Sequence, residues 1–274
     1  MTGRFAAVAL AAAIAVVPLT AFSGSLRWII NGPALHDFAS DASARHYLAG
    51  ARPFVVIRKN APVVLPPEWD AQEVRSFTAV GALDRASVAG LGPNVRAVLY
   101  DNERWKFTPK QEQRDPAAFT AQAARIAHSR GLLLIAAPAV DLVRVLAPDA
   151  RGRVYDRFLS LGVLAGVAKT ADVVVIQAQG SETALPLYSN FVQRGAQQAR
   201  TANPHVVVLA GISTNPSGQR VTAEQIVAAI RATRASVDGY WFNVPAPGPY
   251  CPRCNDFRPD IAIDVFSALK SDGL

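Results

Sequence analysis

Two carboxylates stand two residues apart in the segment Ala97-Val98-Leu99-Tyr100-Asp101-Asn102-Glu103. If the segment is extended, side chains alternate between its faces, so Ala97, Leu99 and Asp101 share one face and Glu103 continues it. Carboxylates held side by side in a partly buried place do not both ionise at their ordinary pKa. Repulsion and desolvation raise one of them, which leaves a proton donor at neutral pH beside a group that stays ionised. That is the equipment of general acid catalysis. The structural alternative for the same residues is that Asp101 caps the next turn while Glu103 pairs with Arg104 or another surface arginine. Trp105 either offers an aromatic face to a sugar or other ring, or packs beneath its own loop.

Other polar residues cluster where extended runs end. Gln177 and Gln179 share a face in the run 172–179, followed by Gly180-Ser181-Glu182, so two amides and a carboxylate are candidates to line a pocket, with Glu182 a further catalytic candidate. A buried glutamine needs hydrogen-bond partners, which a ligand or the neighbouring backbone can supply. Trp241 and Asn243 share a face in Gly239-Tyr240-Trp241-Phe242-Asn243-Val244 and are candidates for a pocket floor; a core position for Trp241 would require an acceptor for its indole N–H. Arg58, Lys59 and Asn60, and Ser213, Thr214 and Asn215, are less specific groups at strand ends. Cys251 and Cys254 most simply close a local disulfide in an oxidising compartment. The four histidines, His36, His46, His128 and His205, form no metal-binding pattern, and no Gly-x-Ser-x-Gly nucleophile elbow is present. Neither a metal nor a cofactor is expected.

The elements that must position these residues alternate along the chain. Short β-branched runs at 26–30, 54–58, 74–80, 95–101, 132–137, 172–179, 206–213 and 239–244 are separated by helical patterns, the form of parallel strands joined by crossover helices. Asp115-Pro116 reads as an N-cap and first turn, with Gly131 ending that helix; Thr222 and Gln225 form a capping-box pattern. His128 falls on the surface of the first of these helices. Several strands are apolar without alternation, as when helices cover one side and a barrel interior the other. The expected fold is α/β, a (β/α)8 TIM-type barrel. The alternative, a doubly wound open sheet, lacks a Gly-x-Gly-x-x-Gly turn or a Walker-type Gly-Lys-Ser/Thr. The Pro-rich stretches 62–67 and 245–252 read as loops after strands, where barrel active-site loops belong.

The chain opens Met1-Thr2-Gly3-Arg4, continues as an apolar run over 5–22, and has Ala21-Phe22-Ser23 before Gly24, the pattern of an exported leader. We therefore expect a signal peptide at 1–23 and one barrel domain at 24–274, secreted or extracytoplasmic; an uncleaved leader would anchor it to the membrane. The net charge of +7 is diffuse, and no basic run with interleaved aromatics marks a nucleic-acid surface. Oligomeric state has no sequence signature here.

Asp101-x-Glu103, the Gln177-x-Gln179 strand end and Trp241 on the last strand together resemble exported barrel glycoside hydrolases, in particular family 18 chitinase-like enzymes. In that family the acid motif, a substrate-holding polar group and an aromatic floor lie on strands four, six and eight. The resemblance implies substrate-assisted cleavage of N-acetylated sugars, with Glu103 protonating the glycosidic oxygen, Asp101 orienting the acetamido group and Gln177 or Gln179 holding it. The family motif places aspartates two, four and seven residues before its glutamate; here only Asp101 matches, with Leu99 and Arg96 at the others. Asn102-Glu103 also resembles the strand-four end of retaining glycosidases with two glutamates, but no glutamate ends the strand at 206–213. The expected function is cleavage of a poly- or oligosaccharide by carboxylate acid/base chemistry. The alternative is an extracellular carbohydrate-binding or structural barrel without turnover.

Overall fold

A computed structural model describes residues 26–57, 63–249 and 251–274. The leader at 1–23 and the strand-end group Arg58, Lys59 and Asn60 lie outside the described residues. Eight strands close into one barrel: β1 Arg27–Asn31, β2 Phe54–Val56, β3 Gln72–Phe77, β4 Val95–Tyr100, β5 Leu133–Ala136, β6 Val173–Ile176, β7 Val207–Ser213 and β8 Gly239–Asn243. Every pairing is parallel, and β1 pairs with β8 through Ile29 opposite Trp241.

Alternation along the strands divides the core in two. Ile29, Phe54, Val74, Ala97, Leu99, Ile135, Val173, Val175, Leu209 and Trp241 fill the barrel interior. Their neighbours, such as Ile30, Val98, Leu134, Val174, Val208 and Phe242, pack outward under the helices. This is why the strands read as continuous apolar runs. With the interior filled, the first polar side chains of the inward series stand at the strands' C-terminal ends, where a barrel's loops build its site.

The helix signals correspond to real caps. Asp115 accepts from the Ala118 N–H at the start of the helix Pro116–His128, and Thr222 and Gln225 complete a reciprocal capping box on Ala223–Thr233. Gly131 adopts φ +68° just beyond the first of these, a conformation that favours glycine. His128 lies about half exposed on that helix, paired with Asp172 at 2.8 Å.

Three expectations need correction. The third strand runs over Gln72–Phe77 and not 74–80, because Val80 opens a helix, Val80–Ala89, whose first N–H is received by both oxygens of Glu112 at 3.0 and 3.2 Å. The sixth strand stops at Ile176; beyond it the Ala178 N–H bonds back to the Ile176 carbonyl and Gln179–Ser181 forms a 3₁₀ turn. The stretch around Pro66 and Pro67 lies on the opposite face from the candidate site. It lines a cleft with Arg52, Gln72 and Asn94, at the N-terminal ends of β2, β3 and β4, held there by the Gln72 N–H to Pro53 and the Arg52 N–H to Trp69.

Candidate active site at the C-terminal end of the barrel

Asp101 directly follows β4, its backbone N–H donating to the Phe77 carbonyl at 2.8 Å, so the register of β4 on β3 carries it to the barrel rim. Leu99 is buried in the barrel interior, and alternation places Asp101 on the same side. The Asp101 and Glu103 carboxyls interact, each shifting the titration of the other. Burial pushes Asp101 up to about 7, against the opposing pull of hydrogen bonds from Gln177 and Glu103 and with the Asp141 charge adding to the rise. Burial also holds Glu103 well above the ordinary carboxylate range, followed by the charges of Asp101 and Asp141. The pair therefore holds a proton to higher pH than an ordinary carboxyl does.

Gln177 joins this pair from β6. Its amide nitrogen donates to Asp101 Oδ1 at 3.1 Å and to the Ala137 carbonyl at 2.8 Å, which fixes which end of the amide faces the acid. Gln179 donates to Gln177 Oε1 at 3.5 Å, although the strand has already ended. Gly211 on β7 makes room for it, since a Cβ there would stand 2.4 Å from Gln179 Oε1. That oxygen is buried and has no hydrogen-bond partner among the described residues.

Across the barrel, the Trp241 indole donates to Asn31 Oδ1 at 2.8 Å, and the Asn31 amide donates to Asn243 Oδ1 at 2.6 Å. Trp241 and Asn243 are thus linked through a residue that sequence reasoning missed. Asn31 follows Ile29 in the inward alternation of β1, a signal that was present but fell one position beyond the expected strand end.

Asp141 is the second residue missed. It sits in a 3₁₀ turn after β5, Val140–Leu142, and accepts the Arg104 N–H at 3.0 Å, which ties the loop behind Glu103 to the next strand's loop. Its only sequence signal is an acidic residue a few positions beyond a strand end.

Other expected members stand apart. Asn102 faces the helices, donating to the Tyr100 hydroxyl at 3.2 Å and to the Glu112 carbonyl at 2.8 Å. That placement removes the Asn-Glu arrangement of the two-glutamate glycosidases, because alternation turns the asparagine out of the barrel. Glu182 is only 2% exposed; its Oε2 accepts the Ser213 N–H at 2.9 Å, and it shares no interaction with Asp101 or Glu103. Burial raises its pKa, and through the Ser213 N–H it braces the end of β7. Trp105 is half-buried, its indole N–H bonded to Thr108 Oγ1 at 2.8 Å and its ring edge-on to Phe107 at 5.1 Å. Cys251 and Cys254 form a disulfide.

No protein-family model and no curated protein matches this chain. Solved structures do. A GH18 chitinase from Pseudoalteromonas aurantia aligns over 90% of this chain and 99% of its own, at 11% identity and a TM-score of 0.53. A candidate α-L-fucosidase from Bacteroides thetaiotaomicron VPI-5482 aligns over 97% of this chain and 99% of its own, at 11% identity and a TM-score of 0.52. The shared feature is the TIM-type barrel. At such identities the likeness extends to the fold, and chemistry must be argued from the residues themselves.

Proposed function

We propose that this protein is an exported glycan-cleaving barrel in which Glu103 protonates the glycosidic oxygen and Asp101 is its partner. The observation that carries the proposal is the interacting Asp101–Glu103 pair at the strand-end face, both carboxyls held above the ordinary carboxylate range. Two carboxyls on opposite sides of a glycosidic bond stand about 5–5.5 Å apart in retaining enzymes and about 6.5–9.5 Å apart in inverting ones. Asp101 and Glu103 leave the same strand end two residues apart, so they do not straddle the bond in either way. Both groups act from one side, and the opposite face of the anomeric carbon is left to a nucleophile the substrate brings, such as an acetamido oxygen. Asp101, steadied by Gln177, then orients that group and offsets its developing positive charge.

Gln179, Trp241, Asn243 and Trp105 are the proposed substrate contacts. The first three lie near the inward rim, and Trp241 retains 9% exposure there. Glu182 is left out of the acid–base step. The leader at 1–23 and the disulfide near the C-terminus support export and a mature domain over 24–274. Among the described residues, no helix is long and apolar enough to cross a membrane. Mass spectrometry of the N-terminus of the secreted protein tests cleavage of the leader.

The deciding experiment is a hydrolysis screen on N-acetylated and non-acetylated oligosaccharides, comparing the unmodified protein with Glu103→Gln. The proposal expects cleavage of N-acetylated chains and its loss in the variant. Equal activity of the two proteins would exclude Glu103 as the acid. Glycan binding without hydrolysis by the unmodified protein would favour a carbohydrate-binding barrel.

A further inference from the structure

A polar cleft opens where the connections after β7 and β8 meet, lined among others by Thr214, Asn215, Arg220, Asn255, Asp256 and Arg258. It is built from two loops locked to each other. The Thr214 N–H donates to the Asn243 carbonyl at 3.1 Å, the Asn215 N–H to Ser213 Oγ at 3.1 Å, and Cys254 Sγ meets the Asn215 carbonyl at 3.7 Å. Gly218 adopts φ +87°, and a Cβ there would stand 2.2 Å from the Arg253 carbonyl oxygen, so the loops touch backbone to backbone.

Within this frame two polar groups have no hydrogen-bond partner among the described residues. Thr214 is 1% and Asn215 7% exposed, and the atoms concerned are Thr214 Oγ1 and Asn215 Oδ1. The Asn215 amide nitrogen already donates to the Asp256 carbonyl at 3.3 Å, which fixes the amide and leaves its oxygen as an acceptor awaiting a donor. Buried polar atoms are nearly always paired, so exceptions beside a cleft call for a partner.

The chemistry of the lining selects that partner. An anion has no hydrogen to give Asn215 Oδ1 and meets the Asp256 carboxylate. A cation meets Arg220 and Arg258, the latter 3.6 Å from Asp260 at the rim. A neutral hydroxylated group escapes both objections: one hydroxyl donates to Asn215, another donates to or accepts from Thr214, and arginine N–H groups reach the remaining oxygens. We propose that this cleft is a carbohydrate subsite for a neutral, hydroxyl-bearing sugar unit of the glycan, away from the bond that Glu103 acts on. The inference rests on the glycan assignment above and deepens it, because it requires a substrate longer than one residue.

The test is calorimetric binding of two neutral tetrasaccharides, N-acetylchitotetraose and laminaritetraose, to the full chain carrying Glu103→Gln, so that no turnover intervenes. At least one should bind. Adding Thr214→Val, which removes the hydroxyl and keeps the shape, should weaken binding about tenfold, whereas Thr214→Ser should retain it. Arg220→Ala, on the exposed rim, provides a second variant that leaves the packed loops untouched and should also weaken binding. Sodium sulfate should not compete. Unchanged affinity in both Thr214→Val and Arg220→Ala, competition by sulfate, or no binding of either tetrasaccharide would overturn the subsite. The two proposals fail separately. If the unmodified protein cleaves a glycan and Thr214→Val leaves its KM unchanged, the subsite falls and cleavage stands. If binding depends on Thr214 but nothing is cleaved, the subsite stands and cleavage falls.

Discussion

Asp101 and Glu103 are ordinary acidic residues made unusual by where β4 ends. Burial contributes most to both shifts, and each carboxyl then raises the question of where the single shared proton resides. As a general acid Glu103 works only while protonated, so hydrolysis should decline on the basic side as its proton is lost, well above the ordinary carboxylate range. Asp141→Asn removes a negative charge that raises both members of the pair while keeping an oxygen for the Arg104 N–H. The basic limb of the pH–rate profile should then move to lower pH, with little change in thermal stability; an unmoved limb would remove Asp141 from the site. Glu103→Gln should lower kcat by roughly 10²–10⁴-fold, the usual contribution of a positioned acid, measured on any glycan found in the screen.

Among the elements, the loop after β4 is held by a buried polar knot. Glu112, 3% exposed, accepts from the Tyr100 hydroxyl at 2.7 Å and from the Val80 N–H, while Asn102 reaches the Glu112 carbonyl. One carboxylate thus caps a helix, satisfies a buried tyrosine and supports the strand end that presents the acid pair. Glu112→Ala strands both donors and should cost about 2–4 kcal/mol, lowering the melting midpoint by about 5–15 °C by differential scanning calorimetry. At β7, Gly211→Ala should displace Gln179 and so disturb Gln177 and Asp101, with a larger effect on KM or kcat than on stability. The Cys251–Cys254 bridge closes only a short loop, so its reduction should leave the barrel folded. It should speed amide exchange in the 251–256 segment, which leans on Asn215. Unaltered exchange there would show that the bridge does not hold the loop.

For the whole molecule, three carboxyls, the partly exposed Asp101 and Glu103 and the buried Glu182, have folded-state pKa values raised above their ordinary ones. Such groups contribute stability that is complete below the ordinary carboxylate range and is lost as pH rises through the folded values, about 7 for Asp101. The melting midpoint should therefore fall between pH 5 and pH 8. Replacing Asp101 and Glu103 by their amides should flatten that slope. A slope unchanged in the double variant would mean that the pair is not protonated in the folded state.

The barrel was legible in the chain because a buried parallel strand needs an apolar run and a crossover helix needs caps, and both are local patterns. Seven of those runs need boundary changes of only a few residues, and the third is displaced because its end is set by Glu112, which lies far along the chain and reaches back to Val80. Asp101 and Glu103 were legible for a similar local reason, since both follow directly on the apolar run of β4 and alternation from Leu99 carries Asp101 inward. What the sequence by itself determined was therefore the periodic part: eight strands, their order, and an acidic pair at one strand's end. The tertiary structure decided which polar residues meet. It turned Asn102 outward, withdrew Glu182 beneath β7, brought Asn31 and Asp141 to the rim, and left Thr214 Oγ1 and Asn215 Oδ1 buried without a hydrogen-bond partner among the described residues. Those outcomes depend on the register of strands brought together by barrel closure, and hydrogen-bond satisfaction across such neighbours leaves no periodic trace in the sequence.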